Sequence, residues 1–443
     1  MFFALAKSRL DYAAAAWQPS ISPTTMEELE RLQNKALRLV TGQLQSTPLE
    51  AIHLEAKVPT YSTNSRRLIA RSYEKALRSS EDHPKKLALI ETVPRRTKRN
   101  SWRTVAAEIA ETLPPELNNR LPFNFFPVAP WKSNEEINWT VNDSVPGVIS
   151  RHDEAQSKLA ASLLQIESYG ADITIYTDGS AAAGLADGGA AAVVTTGPPT
   201  QPNVVETIKH AGRKFTSSYG EELAALESAI SWIVANENFY HRRILLCTDS
   251  QSLCKALRST NPELASVSKR LDSLRAELSI QWIPGHCDIP GNELADAAAK
   301  SASELDEERP PISVNAAWTT IKKNIRDPPP THARIVATYT GHSSSRDASE
   351  IDNRSDQVLL ARLRSGHHPA FRACLHRMDP DVDPTCPICQ NADHTLEHWL
   401  LDCPGTSAVK REMFGTHEGS LTWLSSHPSK SVALAKSTLL GSS

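Results

Sequence analysis

Four carboxylates stand in short contexts that make chemical sense only together: Asp178 in ITIYTDGS, Glu222 in GEELAAL, Asp249 in ILLCTDS and Asp296 in GNELAD. Asp178 and Asp249 close β-branched or apolar runs that read as strands, whereas Glu222 and Asp296 lie on helical patterns. Carboxylates at the ends of adjacent strands, faced by carboxylates from packed helices, would form a cage of hard oxygens. Such a cage suits Mg²⁺ or Mn²⁺, and two such ions side by side are the machinery of phosphodiester cleavage. Each acid also has a plainer reading. A Thr-Asp at a strand end is often a turn or a cap, Glu221 competes with Glu222 for register, and Asp296 could serve a helix start marked by Gly291 and Asn292. The order of the four, each on the right kind of element, favours the cage.

A second ligand set lies near the C-terminus. In CPICQNADHTLEHWLLDC, Cys386, Cys389, His398 and Cys403 are spaced C-x2-C-x8-H-x4-C. Three thiolates and one imidazole make a closed tetrahedral set of the structural zinc type, with His394 as a competing ligand and a metal-free reading still open. A module this small is not expected to bury a core, so one zinc ion would fold it. Its expected use is to grip single-stranded nucleic acid. Cys247, Cys254, Cys287 and Cys374 read as ordinary buried or loop thiols.

The elements that must position these residues follow from periodicity. Residues 1–112 read as helical, with Leu29, Leu32, Ala36, Leu37 and Val40 on one face and Gly42 as a stop. Residues 113–169 begin with a Pro- and Asn-rich stretch holding Phe123, Phe125, Phe126, Trp131 and Trp139, and read as a linker or extended wrapping segment. Residues 170–303 form the clearest domain. ITIYTD, GGAAAVVTT and NVVETIKHA are three successive strands, followed by a helix from about Ser218 to Ala235 with Leu223, Leu226, Ile230 and Ile233 as its stripe. RILLCTD and SIQWIP supply two further strands, with helices between and after them. Three strands in a row and then alternation of α and β predict a mixed five-stranded sheet flanked by helices. Residues 304–355 read as a second linker, 356–410 as the Cys/His module and 411–443 as a tail.

Bulk properties set limits. A chain of 443 residues with 40% hydrophobic content is long enough for several cored domains. No apolar run approaches a membrane span, and seven unevenly placed cysteines argue against a secreted disulfide framework, favouring a reducing compartment such as nucleus or cytoplasm. The net charge of −3 is no nucleic-acid signature by itself. Residues 66–103, however, hold twelve Lys/Arg against four Asp/Glu, ending in Arg95, Arg96, Lys98, Arg99 and Arg103. A phosphate backbone suits such a run, and so does a plain solvated helix face.

The order TDGS, ELAAL, TDS, WIPGH and GNELAD resembles the ribonuclease H superfamily over about 130 residues. The resemblance implies two ions: Asp178 bridging both, Asp296 completing the one that activates water, Glu222 and Asp249 holding the one at the leaving 3′ oxygen. It implies endonucleolytic cleavage of the RNA strand of RNA–DNA hybrids, leaving a 5′ phosphate, with His286 of the PGH loop assisting proton transfer or product release. Ser180 and Gln251, beside the metal ligands, are candidates for contacts to the substrate's 2′-hydroxyls. Asp288 stands where the family loop usually carries glycine, and a long basic insertion near 258–262 is missing, so grip on the substrate must come from elsewhere in the chain or be weak. The C-terminal module with DQVLLARLRSGHH, and LERLQNKALRLVTGQLQSTPLEAI near the start, resemble parts of non-LTR retrotransposon polyproteins. With no Asp-Asp pair in the sequence, the chain looks like the downstream part of such a reverse transcriptase without its polymerase centre. The alternatives are a decayed nucleic-acid-binding remnant and a host nuclease of the same fold.

Overall fold

The computed structural model describes residues 2–90, 101–122, 139–148, 154–181, 188–212, 215–236, 242–259, 264–305, 311–342, 347 and 350–440. Arg95, Arg96, Lys98 and Arg99 of the basic run, and Phe123, Phe125, Phe126 and Trp131, lie outside these. The chain divides into two compact units, one of Ala70–Arg95 and Ala107–Asn324, the other of Met1–Ile69, Arg96–Ala106 and Ile325–Ser443.

The first unit is built on a six-stranded sheet. Its strands are β1 (Trp139–Asn142), β2 (Ile173–Ala181), β3 (Gly188–Thr196), β4 (Asn203–Ala211), β5 (Arg243–Thr248) and β6 (Glu277–Trp282), in the order β1-β6-β5-β2-β3-β4. Pairing is antiparallel from β2 through β4 and parallel from β2 through β5 and β6 to β1. The helices are α1 (Ala155–Ser168), α2 (Ser218–Ala235), α3 (Gln251–Arg258), α4 (Ala265–Asp272) and α5 (Pro290–Ala302). Strand alternation sends Ile173 and Ile175 to one face, where Leu226, Ile230 and Ile233 of α2 cover them. Tyr176 goes to the other face and packs with Ala295, Ala298 and Ala299 of α5 and Ile166 of α1.

The five strands expected from the sequence are thus joined by a sixth, and the stretch expected as a linker over 113–169 supplies both β1 and α1. Four residues, Trp-Thr-Val-Asn, are too few to show a period. They form a strand because β6 offers them a free edge, with Trp139 opposite Leu278 and Val141 opposite Ile280. The expected linker over 304–355 likewise carries a helix, Val314–Asn324, whose Ala316 and Ala317 pack with Leu117 and Ile312.

In the second unit the helix Pro23–Thr41 starts at Ser22, whose side chain accepts from Thr25 N, and ends at Gly42, whose φ of 72° is open to glycine at little cost. The expected apolar face is only partly the buried one. Leu37 is buried, but Leu32 is 55% exposed and Val40 is also exposed, while Gln33, Asn34 and Thr41 are buried. The polar pair is tolerated because Gln33 Nε2 donates to Pro59 O at 2.9 Å and Asn34 Oδ1 lies 2.8 Å from His53 Nε2. The C-terminal portion also departs from expectation. Leu360, Leu363, Phe371, Leu396, Trp399, Leu400, Leu424 and Leu434 share one core, so the Cys/His module does bury apolar side chains. Residues 411–443, read as a tail, contribute Leu424, Val432, Leu434 and Ala435 to that core from the helices Trp423–Ser426 and Pro428–Ala435.

Candidate active site

Asp178 does not end its strand. β2 continues for three more residues, and Asp178 is paired with Ala191 across the antiparallel ladder. Asp249 directly follows β5, which is parallel to β2, so register alone brings the two aspartates to the same end of the sheet. Gly179 is what lets the third acid join them. A Cβ at this position would collide with the backbone of Glu221 and Glu222, so only glycine permits the start of α2 to rest against β2. Ser217 caps that helix, accepting from Gly220 N at 3.2 Å. Glu222 thereby reaches the aspartates, while Glu221 is buried elsewhere, beside Gly188 and Gly212.

The carboxylate oxygens of Asp178, Glu222 and Asp249 lie within 4.8 Å of one another. Asp296 is placed close by, on α5, but outside this trio. It binds Lys300, one turn further along, at 2.5 Å. The electrostatics follow from crowding. Burial, and then the charges of Asp249 and Asp296, push Asp178 up to about 7. Burial, and then the charges of Asp249 and Asp178, hold Glu222 well above the usual carboxylate range. Asp249 is raised by burial as well, offset by hydrogen bonding with Glu222 and by the charge of His286. Glu222 Oε2 is buried with no hydrogen-bond partner among the described residues. Two buried acids and a half-buried one crowded together are an unfavourable arrangement when ionised, and a divalent ion with oxygen preference fits this donor set.

The remaining expected site residues are placed as follows. His286 sits in the loop after β6 with φ of 54°, near enough for its charge to favour the Asp249 carboxylate. Gly285 lies directly against that aspartate, where a Cβ would be 2.5 Å from Asp249 Oδ2. Ser180 is half-buried on β2, opposite Gly189. Gln251 is engaged at both ends of its amide, donating to Asp143 O and accepting from Lys255 Nζ, each at 3.0 Å. Two contributors were missed from the sequence. Lys300 was visible as the residue four beyond Asp296, the spacing of helical ion pairs. Trp282, whose indole donates to Asp249 O at 3.1 Å, was visible only as the first residue of WIPGH and was given no role.

In the second unit the structure brings Cys386, Cys389, His398 and Cys403 together, with their ligand atoms within 4.8 Å of one another. Cys386 Sγ and Cys403 Sγ are 4.0 Å apart, and Cys389 Sγ is 3.1 Å from His398 Nε2. Tetrahedral Zn–S bonds of about 2.3 Å imply an S···S separation of about 3.8 Å, so this donor set has the dimensions of a zinc site. His394 stays outside it, buried edge-on against Phe371, and burial lowers its pKa to about 4.

Fold and site define a mixed α/β domain with a buried carboxylate cluster at one end of its sheet. The ribonuclease H family model matches residues 170–304. Ribonuclease H of the bacterium Polynucleobacter asymbioticus is 30% identical over 149 residues, which are 30% of this chain and 90% of that protein. Through this domain the chain belongs to the ribonuclease H family, a family of nucleases. Solved structures with similarity include LC11-RNase H1, isolated from compost by a metagenomic approach, at 18% identity over 30% of this chain and 96% of that one, with a TM-score of 0.26. The N-terminal RNase H domain of a Mycobacterium tuberculosis protein is also 18% identical, over 34% of this chain and 98% of that one, with a TM-score of 0.25.

Proposed function

We propose that this chain is an endonuclease that hydrolyses the RNA strand of RNA–DNA hybrids with two divalent metal ions, as part of a non-LTR retrotransposon-derived protein. The observation that carries the reading is the convergence of Asp178, Glu222 and Asp249 within 4.8 Å in a ribonuclease H domain, with Asp296 beside them. These four residues would hold the ions, which supply charge neutralisation at the reacting phosphate and lower the pKa of the attacking water. The chain's own residues do the rest. Gly179 and Ser217 fix where Glu222 stands, and Trp282 holds the backbone of Asp249. His286, next to Asp249 on its loop, is placed to carry a proton toward or away from the departing oxygen.

The Cys386, Cys389, His398 and Cys403 set would bind one structural zinc ion, and the surface around it would contact single-stranded nucleic acid. The retrotransposon context rests on the sequence patterns on either side of the nuclease domain. The decisive experiment is cleavage of an end-labelled hybrid in Mg²⁺ by the wild type and by Asp178→Asn and Asp249→Asn. We expect 5′-phosphorylated RNA fragments from the wild type and a loss of at least two orders of magnitude in each variant. Equal, residual cutting by all three would reject the enzyme and favour a binding remnant. Equally fast cutting of duplex DNA would reject the hybrid as the substrate.

A further inference from the structure

The basic insertion that would help such a domain grip its substrate is missing from this sequence, and α3 offers a replacement. Gln251, Lys255 and Arg258 follow one another at i, i+4 and i+7 along one flank of α3, beside the face that buries Leu253, Cys254 and Leu257, and Lys255 and Arg258 are exposed. Seven residues of helix span about 10.5 Å, roughly the axial length of three nucleotides in one strand. The stripe starts two residues after Asp249, so a strand lying across the carboxylates would run onto it.

The unexpected strand β1 controls this stripe. Behind Asn142 the chain turns at Asp143, whose carbonyl accepts from Gln251 Nε2 at 3.0 Å and whose carboxylate binds Arg258 Nη1 at 2.5 Å. The strand itself is anchored independently of α3. Trp139 Nε1 donates to Asp272 Oδ1 at 2.8 Å, and Gln281 Nε2 donates to Ser144 O at 2.8 Å. Arg258 remains 56% exposed, so its guanidinium is open to solvent on the side away from Asp143.

We propose that Gln251, Lys255 and Arg258 grip the nucleic-acid backbone and that Asp143 is a positioning residue occupying Arg258 in the place of a phosphate. Binding would then exchange one anion for another on the same guanidinium. The inference rests on the nuclease reading above and deepens it. It has a thermodynamic signature. A phosphate neutralised by a free cation releases about 0.9 counterion, but a phosphate that displaces Asp143 comes to lie beside that fixed negative charge, which offsets part of the neutralisation. The net release at Arg258 in the wild type is therefore smaller than at a free cation. At Lys255, whose partner is the neutral amide of Gln251, release is complete.

The test is a double-mutant cycle on the full-length chain carrying Asp178→Asn, so that a labelled RNA–DNA hybrid is bound but not cut. Dissociation constants are measured over a range of KCl. Asp143→Asn should bind roughly two- to five-fold more tightly at low salt, the range of an exposed ion pair, and steepen the slope of log K against log[salt] by up to about 0.9. Arg258→Ala alone should flatten the slope less than Lys255→Ala does and abolish the effect of Asp143→Asn. Lys255→Ala should flatten the slope by about 0.9 in either background. Circular dichroism melts confirm that each variant is folded. An Asp143→Asn slope equal to that of the parent, or an Asp143 effect that persists without Arg258, overturns the proposal while hybrid binding by the parent keeps the nuclease reading intact. Failure of every protein to bind hybrid removes that reading, and this one with it.

Discussion

Asp178 shows most clearly what this arrangement costs in the absence of a cation. Its pKa rises from an ordinary 3.8 to about 7, chiefly through burial and then through Asp249 and Asp296. About three pKa units correspond to a free energy on the order of 4 kcal/mol between the two protonation states. Because the folded pKa is the raised one, the protonated carboxyl favours the native state below about pH 4, and that advantage is lost as pH climbs through 7. Asp178→Asn, which cannot ionise, should therefore be more stable than the wild type in metal-free buffer at pH 8, by a few kcal/mol. The gap should close on acidification toward pH 4. Urea unfolding of both proteins at several pH values measures it, and a gap that is constant with pH would mean that Asp178 is not held in a strained ionised state. Saturating Mg²⁺ should shrink the gap at pH 8 by stabilising only the protein that keeps its carboxylate. At this scale the sequence was most informative. Carboxylates whose neighbours are Gly179, Thr248 or an Ala-Ala pair advertise close packing, and Glu222 was preferred to Glu221 because it directly precedes Leu-Ala-Ala, as the glutamate of the resembled family does. The pairing of Asp296 with Lys300 went unremarked because an i+4 ion pair is common on any helix surface.

Elements were legible in proportion to their length and regularity. The helix Ser218–Ala235 was legible in the sequence because its stripe, Leu223, Leu226, Ile230 and Ile233, repeats over about three turns, and in the structure Ser217 caps it. By contrast β1 has four residues, and its existence depends on an edge of β6 more than a hundred positions away, which no local pattern encodes. The loop that carries His286 lies between these cases. Its Asp288 was noted as standing where glycine is usual, and the structure gives it φ of 58°, two residues after His286 at 54°. Asp tolerates this left-handed region better than most residues, at a cost of up to about 1 kcal/mol that glycine would not incur. Glycine in turn adds roughly 0.5–1 kcal/mol of unfolded-state entropy, so Asp288→Gly should leave stability unchanged within about 0.5 kcal/mol. Asp288→Val, whose branched Cβ is disfavoured there, should lose about 1–2 kcal/mol. Chemical denaturation of the pair checks this. A loss on going to glycine as large as that on going to valine would show that the Asp288 carboxylate, not the backbone, is what the loop requires.

At the scale of the whole molecule the second unit joins Met1–Ile69 and Arg96–Ala106 to Ile325–Ser443, so the Cys/His module is not an appendage on a linker. Gln43 Nε2 donates to Ala361 O at 2.7 Å, Arg362 Nε donates to Gly42 O at 2.8 Å, and the buried Arg364 binds Glu55 at 3.1 Å and Asp347 at 2.8 Å. Composition could not show this, because Gln43, Gly42 and Glu55 are some 300 positions from their partners and each stretch alone looks like a minor helix. The consequence concerns zinc. A bare knuckle would unfold completely without its metal. Here Trp399 and Leu400 lie between Cys389 and Cys403 in sequence and inside the shared core, so the apolar packing should hold part of the structure when the metal is removed. Chelation is expected to lower the melting temperature of this unit rather than abolish its transition. It should also reach beyond the ligands. In hydrogen exchange after treatment with a zinc chelator, peptides from Pro23–Thr41 and Leu49–Ala56 should lose protection together with those from Arg354–Ser365, because their carbonyls, amides and carboxylates are bonded to one another. Loss confined to residues 386–403 would mean that the module opens without disturbing the N-terminal helices, and complete unfolding would mean that the metal and not the core holds the unit together.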